Sequence, residues 1–498
     1  MSRSPSPAAA GAVRVVVVVA SLALIVGACG AVMPSTAPPA SGAATPAATP
    51  VASPSGPQPV VVDTDLSFDD ILALAFLLRQ PEVDVRAVTV TGTGLVHCLS
   101  GLQVMARLLA TLERSDVPVS CGREEPFPGG HAFPAEWRQT ADGAYGLALG
   151  RASVSNPAST APEMLASVAG AAAEPITVVA LGPLTNLAEA LEADPGLVAR
   201  IGRIVEMGGA IDVTGNVATD PAGTGTPGPA EWNVYADPAA ADIVFRSGIP
   251  IALVPLDATN AVPVDQAFID ALGSDHAAAG ADVAYELLAR RGATGLDYLW
   301  DALAAVVAVD ASVATFEPMK LAVVTAEGPD SGRTIRADNG TELRVATTAD
   351  RAAFEQRFLA GLRVGAPRPN PFTLVGTIAV TFDGTICADD EADTIAAGDW
   401  MVDATATTPG WTYVAVISFH EGAGWDDLLA YIAPAEDPLA APPFVDNPAG
   451  ALLEGPSSSR FVVAFTPGTY GFVCLHATDP SGAGGTGTPG SGSFTVEP

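Results

Sequence analysis

The sequence predicts an α/β domain with a mostly parallel open sheet and flanking helices, followed by an all-β sandwich. Two observations predict it. Between residue 59 and about residue 363, short apolar strand-like runs alternate with longer helical patterns, the texture of a parallel sheet. After Pro367, Pro369 and Pro371, short β-like runs separated by Gly and Pro replace them, as in a small sandwich. The expected boundaries are 59–370 and 371–498.

Ahead of both lies a leader. Arg3 and Arg14 precede an apolar run over 15–26 that closes in Gly27-Ala28-Cys29. Such a run reads as a secretory signal over 1–29 and is short for a membrane-spanning helix. Its Val-Gly-Ala-Cys ending resembles a bacterial lipobox. That resemblance implies cleavage before Cys29, lipid on its thiol, and anchorage to the outer face of a bacterial membrane; cleavage without lipid is the plainer alternative. Residues 30–58 are a Pro/Ala/Ser/Thr tether without charge.

Within the α/β part, the run 60–62 leads into acidic residues and a helical pattern over 71–78. The run 85–90 precedes a Gly/Thr loop and a helix over 102–112. Then come 176–181 before a helix over 184–191, 204–207 ending in Gly208-Gly209, and 251–256 ending at Asp257. Parallel sheets bind ligands at the carboxyl ends of their strands, so informative residues should follow each run. In the sandwich, strand-like runs cover 377–382, 412–419, 461–465 and 469–474.

Charge narrows the function. Lys and Arg total 23 against 55 Asp and Glu, a net charge of -32, and Lys320 is the only lysine. This excludes nucleic-acid polymers and anchorage on anionic lipid by basic residues. Apolar residues make up 49%, enough for large cores. Five cysteines are too few for a disulfide scaffold. With Cys29 lipidated, Cys98 and Cys121 follow the second and third expected strands on one sheet edge, and Cys387 and Cys474 share the sandwich. Two disulfides, 98–121 and 387–474, are expected in an exported chain.

The sharpest feature is Asp63-Thr64-Asp65-Leu66-Ser67-Phe68-Asp69-Asp70, four carboxylates directly after a buried-type strand. Converging like charges raise one another's pKa, and keeping several ionised calls for a hard cation such as Ca²⁺ or Mg²⁺. Helix capping accounts for one or two of the four. The pattern Asp-Thr-Asp-x-x-x-Asp-Asp resembles the signature of the inosine-uridine-preferring nucleoside hydrolases. Further matches follow in that family's order. They are Leu181-Gly182-Pro183-Leu184-Thr185-Asn186, Met207-Gly208-Gly209-Ala210 with Gly215-Asn216, and Ala230-Glu231-Trp232-Asn233 leading to Asp237-Pro238. Ser247-Gly248-Ile249-Pro250 then leads to Leu256-Asp257-Ala258-Thr259.

The resemblance implies a nucleoside hydrolase-like fold and calcium-dependent hydrolysis of the N-glycosidic bond of ribonucleosides, as in purine and pyrimidine salvage. It implies Asp65, Asp70, Asp301 and the Leu181 carbonyl as calcium ligands. Asp65 is then the general base, Asp63 its support, and Asp69, Asn216, Glu231 and Asn233 the ribose contacts. Plainer roles are a turn for Asn216 and helix caps for Glu231, Asn233 and Asp301. Three departures stand out. Leu66-Ser67 replaces Pro-Gly. The Asn expected after the second strand is replaced by Gly92-Thr93 or Gly94-Leu95. Trp300 precedes Asp301 where the family often has the His that protonates the leaving base. Tryptophan is no acid at neutral pH, so Trp300 stacks on a base or packs. His97, on the ligand edge, is the substitute candidate; His131 and His276 rank below it.

Residues 467–476 with Phe494 faintly resemble a cupredoxin. His420, Cys474 and His476 lack the usual axial Met, so a sandwich without copper is the preferred reading. Two other functions fit parts of the sequence. Asp63-x-Asp65 also suits a haloacid-dehalogenase-like phosphatase, but that chemistry wants a later Lys and then an acidic pair, and none follows Lys320 within the α/β part. A catalytically impaired nucleoside- or ribose-binding lipoprotein is the alternative that Trp300 motivates. The partner is a small nucleoside, and a homo-oligomer is compatible with the sequence.

Overall fold

The computed structural model describes residues 56–150, 152, 157–217, 228–390, 393–432, 442–478 and 486–498. The leader with Cys29 and most of the 30–58 tether lie outside them. Six strands run parallel: β1 (Gln58–Thr64), β2 (Val83–Val90), β3 (Val119–Cys121), β4 (Ile176–Ala180), β5 (Ile201–Met207) and β6 (Ile251–Val254). Three more, β7 (Ala314–Val323), β8 (Thr334–Arg336) and β9 (Thr341–Ala349), complete a sheet of order β3-β2-β1-β4-β5-β6-β9-β7-β8. β9 is parallel to β6, while β7 is antiparallel to both β9 and β8.

Both faces of this sheet are covered. Val60 and Val62 enter one core and Val61 the other, the period-two consequence of a strand buried on two sides. The strand order reverses between β1 and β4, which lie side by side while the chain departs in opposite directions from each. An open crevice forms at the carboxyl ends of two such strands. The run at 251–256 ends as a strand at Val254, because Pro255 has no N–H for the ladder and precedes the short Leu256–Thr259 helix. Gly332-Arg333-Thr334 and Asp350-x-x-x-Phe354 resemble the family's final hairpin and helix, and the structure has the β7–β8 hairpin and the Arg351–Leu362 helix there.

The C-terminal region holds β10 (Gly376–Phe382), β11 (Cys387–Asp389), β12 (Thr394–Ala396), β13 (Gly398–Ala406), β14 (Trp411–Phe419), β15 (Val445–Glu454), β16 (Ser457–Phe465), β17 (Gly468–Ala477) and β18 (Thr486–Glu497). They form two sheets, β11-β10-β13-β16 and β12-β18-β17-β14-β15. Val380, Phe382 and Phe461 from the first share a core with Val414, Phe472 and Phe494 from the second. Cys387 on β11 is bonded to Cys474 on β17, which joins the sheets and occupies the one sulfur that a copper site would need. His420 pairs with Asp446 and His476 with Thr412. Cys98 is bonded to Cys121, tying the start of the Cys98–Thr111 helix to the end of β3.

Candidate active site

β1 delivers Asp63 and Thr64 to the crevice, and the chain then turns through Asp65, Leu66 and Ser67 into the Phe68–Leu77 helix. Leu66 takes φ 58°, the left-handed region that costs a side chain about 1 kcal/mol or more. Ser67 caps the helix reciprocally: the Asp70 N–H donates to its hydroxyl at 3.3 Å, and its own N–H donates to the Asp70 carboxylate at 3.0 Å. The Thr64 hydroxyl donates to the other Asp70 oxygen. The acid spacing is therefore strand end, turn and capped first turn. Ser67 also donates to Asp69 at 2.5 Å and lies 3.3 Å from Asp301, links that a Gly at this position would lack.

Asp301 arrives in the first turn of the Trp300–Val309 helix, with its N–H donating to Asp69 at 2.8 Å. Potential ligand oxygens of Asp69, Asp70 and Asp301 lie within 4.8 Å of one another, all buried. Asp70 is the hub, its carboxyl lying beside those of both Asp65 and Asp301. Asp65 accepts from the Leu95 N–H at 3.1 Å and the Ser67 N–H at 3.3 Å. A Cβ on Gly94 would overlap the Asp65 side chain, so a glycine there lets the loop after β2 close on Asp65. Asp63 lies beneath, accepting from the Thr89 hydroxyl at 2.5 Å and the Asn186 amide at 2.8 Å. Its other oxygen is buried without a partner, as is one Asp301 oxygen.

Burial dominates the electrostatics. It raises the Asp63 carboxyl to about 7, tempered by Thr89 and Asn186, and the Asp69 carboxyl to about 6, with Asp70 adding repulsion. Desolvation and neighbouring acids hold Asp65 and Asp301 well above the usual carboxylate range, and burial raises Asp70 as well. Clustered buried carboxylates of this kind hold their protons to higher pH than exposed ones, and a bound cation favours their ionised form. The all-oxygen donor set and the orphaned Asp301 oxygen fit a hard divalent ion.

The facing wall comes from the β4 and β5 ends. The Leu181 N–H donates to the Asp63 carbonyl at 2.8 Å, while the Leu181 carbonyl accepts from the Asn233 amide at 2.9 Å. Asn233 also donates to the Met207 carbonyl at 3.1 Å. Glu231 caps the Trp232–Ala236 helix, accepting from the N–H groups of Asn233 at 2.9 Å and Val234 at 3.2 Å, and from Gly209 at 2.9 Å. Asn216 accepts from the Trp232 N–H at 3.0 Å. These three residues are thus knit together, each holding backbone. Asp237, not Glu231 or Asn233, caps the Pro238–Phe245 helix.

Trp300 packs edge-on to Phe68 at 6.1 Å, and its indole N–H is buried without a partner. His97 precedes the Cys98–Thr111 helix, with its Nδ1 2.7 Å from Asp142 and its side chain 44% exposed. His131 stacks on Tyr235 at 3.9 Å, and His276 pairs with Asp282. Three participants carry no role that the sequence alone makes plain. Asn186 sat inside a recognised motif, and its place at the start of a helix beside β1 was the available signal. Tyr145 lies edge-on to Phe68 at 6.5 Å, with its hydroxyl pKa pushed well up by burial and then by Asp65. The Arg291 guanidinium sits 4.3 Å over the Phe68 ring. Neither residue stands in a pattern that marks it.

The chain matches the profile described as inosine-uridine preferring nucleoside hydrolase over residues 60–356. It is 36% identical over 212 residues to the pyrimidine-specific ribonucleoside hydrolase of Salmonella agona, a match covering 43% of this chain and 64% of that protein. The chain thus spans just under two thirds of that curated relative's length. Among solved structures, the inosine-uridine preferring nucleoside hydrolase from Bacillus anthracis superposes with TM-score 0.55 at 25% identity, covering 62% of this chain and all of that one. A plant nucleoside hydrolase gives 0.52 at 30% identity, with the same coverage. The profile spans more than half of the chain, and its residues include the Asp63–Asp70 cluster, Leu181, Glu231 and Asp301. The chain therefore belongs to the inosine-uridine preferring nucleoside hydrolase family.

Proposed function

We propose that this protein hydrolyses the N-glycosidic bond of ribonucleosides, releasing base and ribose, in a calcium-dependent reaction. The observation that carries the reading is the convergence of Asp69, Asp70 and Asp301, with Asp65 beside them, at the strand-order reversal. Asp65, Asp70, Asp301 and the Leu181 carbonyl are the proposed calcium ligands, and the observed convergence adds Asp69 as a candidate. A bound calcium ion would supply positive charge for the ribose hydroxyls and for activating the attacking water.

The chain's own residues do the rest. Asp65, fixed by the Leu95 and Ser67 N–H groups, takes the proton from water. Asp63 supports it from below, oriented by Thr89 and Asn186. Asp69, Asn216, Glu231 and Asn233 bind the sugar. The row of Tyr145, Phe68 and Trp300 faces the base, and His97 is the proposed proton donor to it. Incubation of the purified protein with a panel of nucleosides and Ca²⁺, read as free ribose, tests the proposal. Pyrimidine ribonucleosides come first, as the Salmonella relative is named for them.

Trp300 favours a second reading. It places no acid beside Asp301, so the site would bind nucleosides without turnover. Tight nucleoside binding with no ribose release would select it. We also propose an exported, Cys29-lipidated protein on the basis of the 1–29 leader. Mass spectrometry of the mature N-terminus tests that.

A further inference from the structure

The Ala279–Arg291 helix ends in two adjacent arginines with different partners. Arg290 makes a two-pronged bond to Asp399 on β13, at 2.8 and 2.9 Å, and also contacts Glu286. Its side chain is only 14% exposed, and Phe372 lies under its guanidinium. Beside it Ala289 and Phe372 pack with Met401 of β13 and Val462 of β16. The next turn is pinned as well. Gly292 has φ 72°, and a Cβ there would stand 2.7 Å from the Arg460 carbonyl of β16. Arg291, between these anchors, holds the active-site side. It bonds Asp297 through two nitrogens, each at 2.8 Å, and covers Phe68. Asp297 also accepts from Thr294, and its carbonyl accepts from the Val264 N–H. The segment tied down in this way, 292–299, runs directly into Trp300 and Asp301.

We propose that the C-terminal β-sheets brace the base-side wall of the active site. Asp399 holds Arg290, and this fixes the helix end from which Arg291 fastens the loop that presents Trp300. Arg290 and Asp399 are positioning residues, since neither touches the acid cluster. A forked charge-assisted pair restricts both partners more than a single contact does. Displacing a substrate-facing wall removes binding contacts common to the ground and transition states, which raises KM more than it lowers kcat. The inference rests on the nucleoside-hydrolase reading of the site for its kinetic consequence, but not for its structural one.

The test uses the full chain carrying Asp399→Asn, with Asp399→Glu as the conservative variant and Arg290→Lys as a second break of the fork. Amide exchange over 291–300 and nucleoside KM are measured on each, with Kd replacing KM if the wild type releases no ribose. The expected result is faster exchange confined to 291–300 and a rise of about tenfold in KM, with kcat within about twofold, in Asp399→Asn and Arg290→Lys. Asp399→Glu should restore most of both. Unchanged exchange over 291–300 overturns the brace. Faster exchange with unchanged KM or Kd overturns its link to the site. A wild type that neither hydrolyses nor binds any nucleoside rejects the functional reading, and the exchange result then decides the brace alone.

Discussion

The Asn186 side-chain amide donates to the Asp63 carboxylate at 2.8 Å, across the gap between the Thr185–Ala193 helix and β1. Both residues are fully buried, and Asn186 also donates to the Val90 carbonyl, so one side chain ties three elements together. A Cβ on Gly122 would overlap the Asn186 oxygen, so the residue directly after β3 has no side chain. Asn186→Ala should therefore destabilise the protein by about 1–3 kcal/mol, because it leaves Asp63 with one donor fewer. Urea unfolding measures this; a loss below about 0.5 kcal/mol would contradict it.

Calcium and pH should be linked through the same acids. Asp63 and Asp69 have folded pKa values raised to about 7 and about 6, against an ordinary value of 3.8. A raised folded pKa contributes stability that is fully present below the unfolded value and is lost as pH climbs through the folded one. Without calcium, the melting temperature should fall between pH 4 and pH 7. Added Ca²⁺ should raise it, and by more at pH 7.5 than at pH 5, since the ion binds the deprotonated acids. Thermal melts with and without chelator check the sign; a calcium effect that shrinks as pH rises would contradict the site.

Asp70 is the hub of the cluster, so Asp70→Asn should abolish measurable calcium binding and lower kcat/KM by at least about a hundredfold. Isothermal titration with Ca²⁺ checks the first part. Retained affinity would move the ion away from Asp70.

Trp300 directly precedes Asp301, and under the proposed function a histidine at this position would protonate the leaving base. Trp300→His should raise kcat by about tenfold or more if base departure limits turnover, as a positioned acid contributes roughly 10²–10⁴-fold. The gain should fade at alkaline pH as the new imidazole loses its proton. His97→Ala should lower kcat in the native background; unchanged kcat and KM would remove His97 from the mechanism.

Much of this was legible because chain order and chemistry agree locally. The run at 60–62 followed by Asp63, Asp65, Asp69 and Asp70 announces a strand, a turn and a capped helix, and the structure builds those elements. Asp301 was legible only through the family resemblance, since 231 residues separate it from Asp70 and no periodicity connects them. Tyr145 and Arg291 were not legible. Their relevance comes from tertiary contact with Phe68, which leaves no trace in local pattern. The β7–β8 hairpin and the Arg351–Leu362 helix were legible only through Gly332-Arg333-Thr334 and Asp350-x-x-x-Phe354, which resemble the family's final hairpin and helix.

The most direct test is ribose release by the full chain from a nucleoside panel, run with Ca²⁺, with chelator, and with Asp70→Asn in parallel. The account predicts ribose from at least one ribonucleoside with Ca²⁺, and loss of that release with chelator or with the variant. No release from any nucleoside, or release indifferent to both chelator and Asp70→Asn, would contradict it.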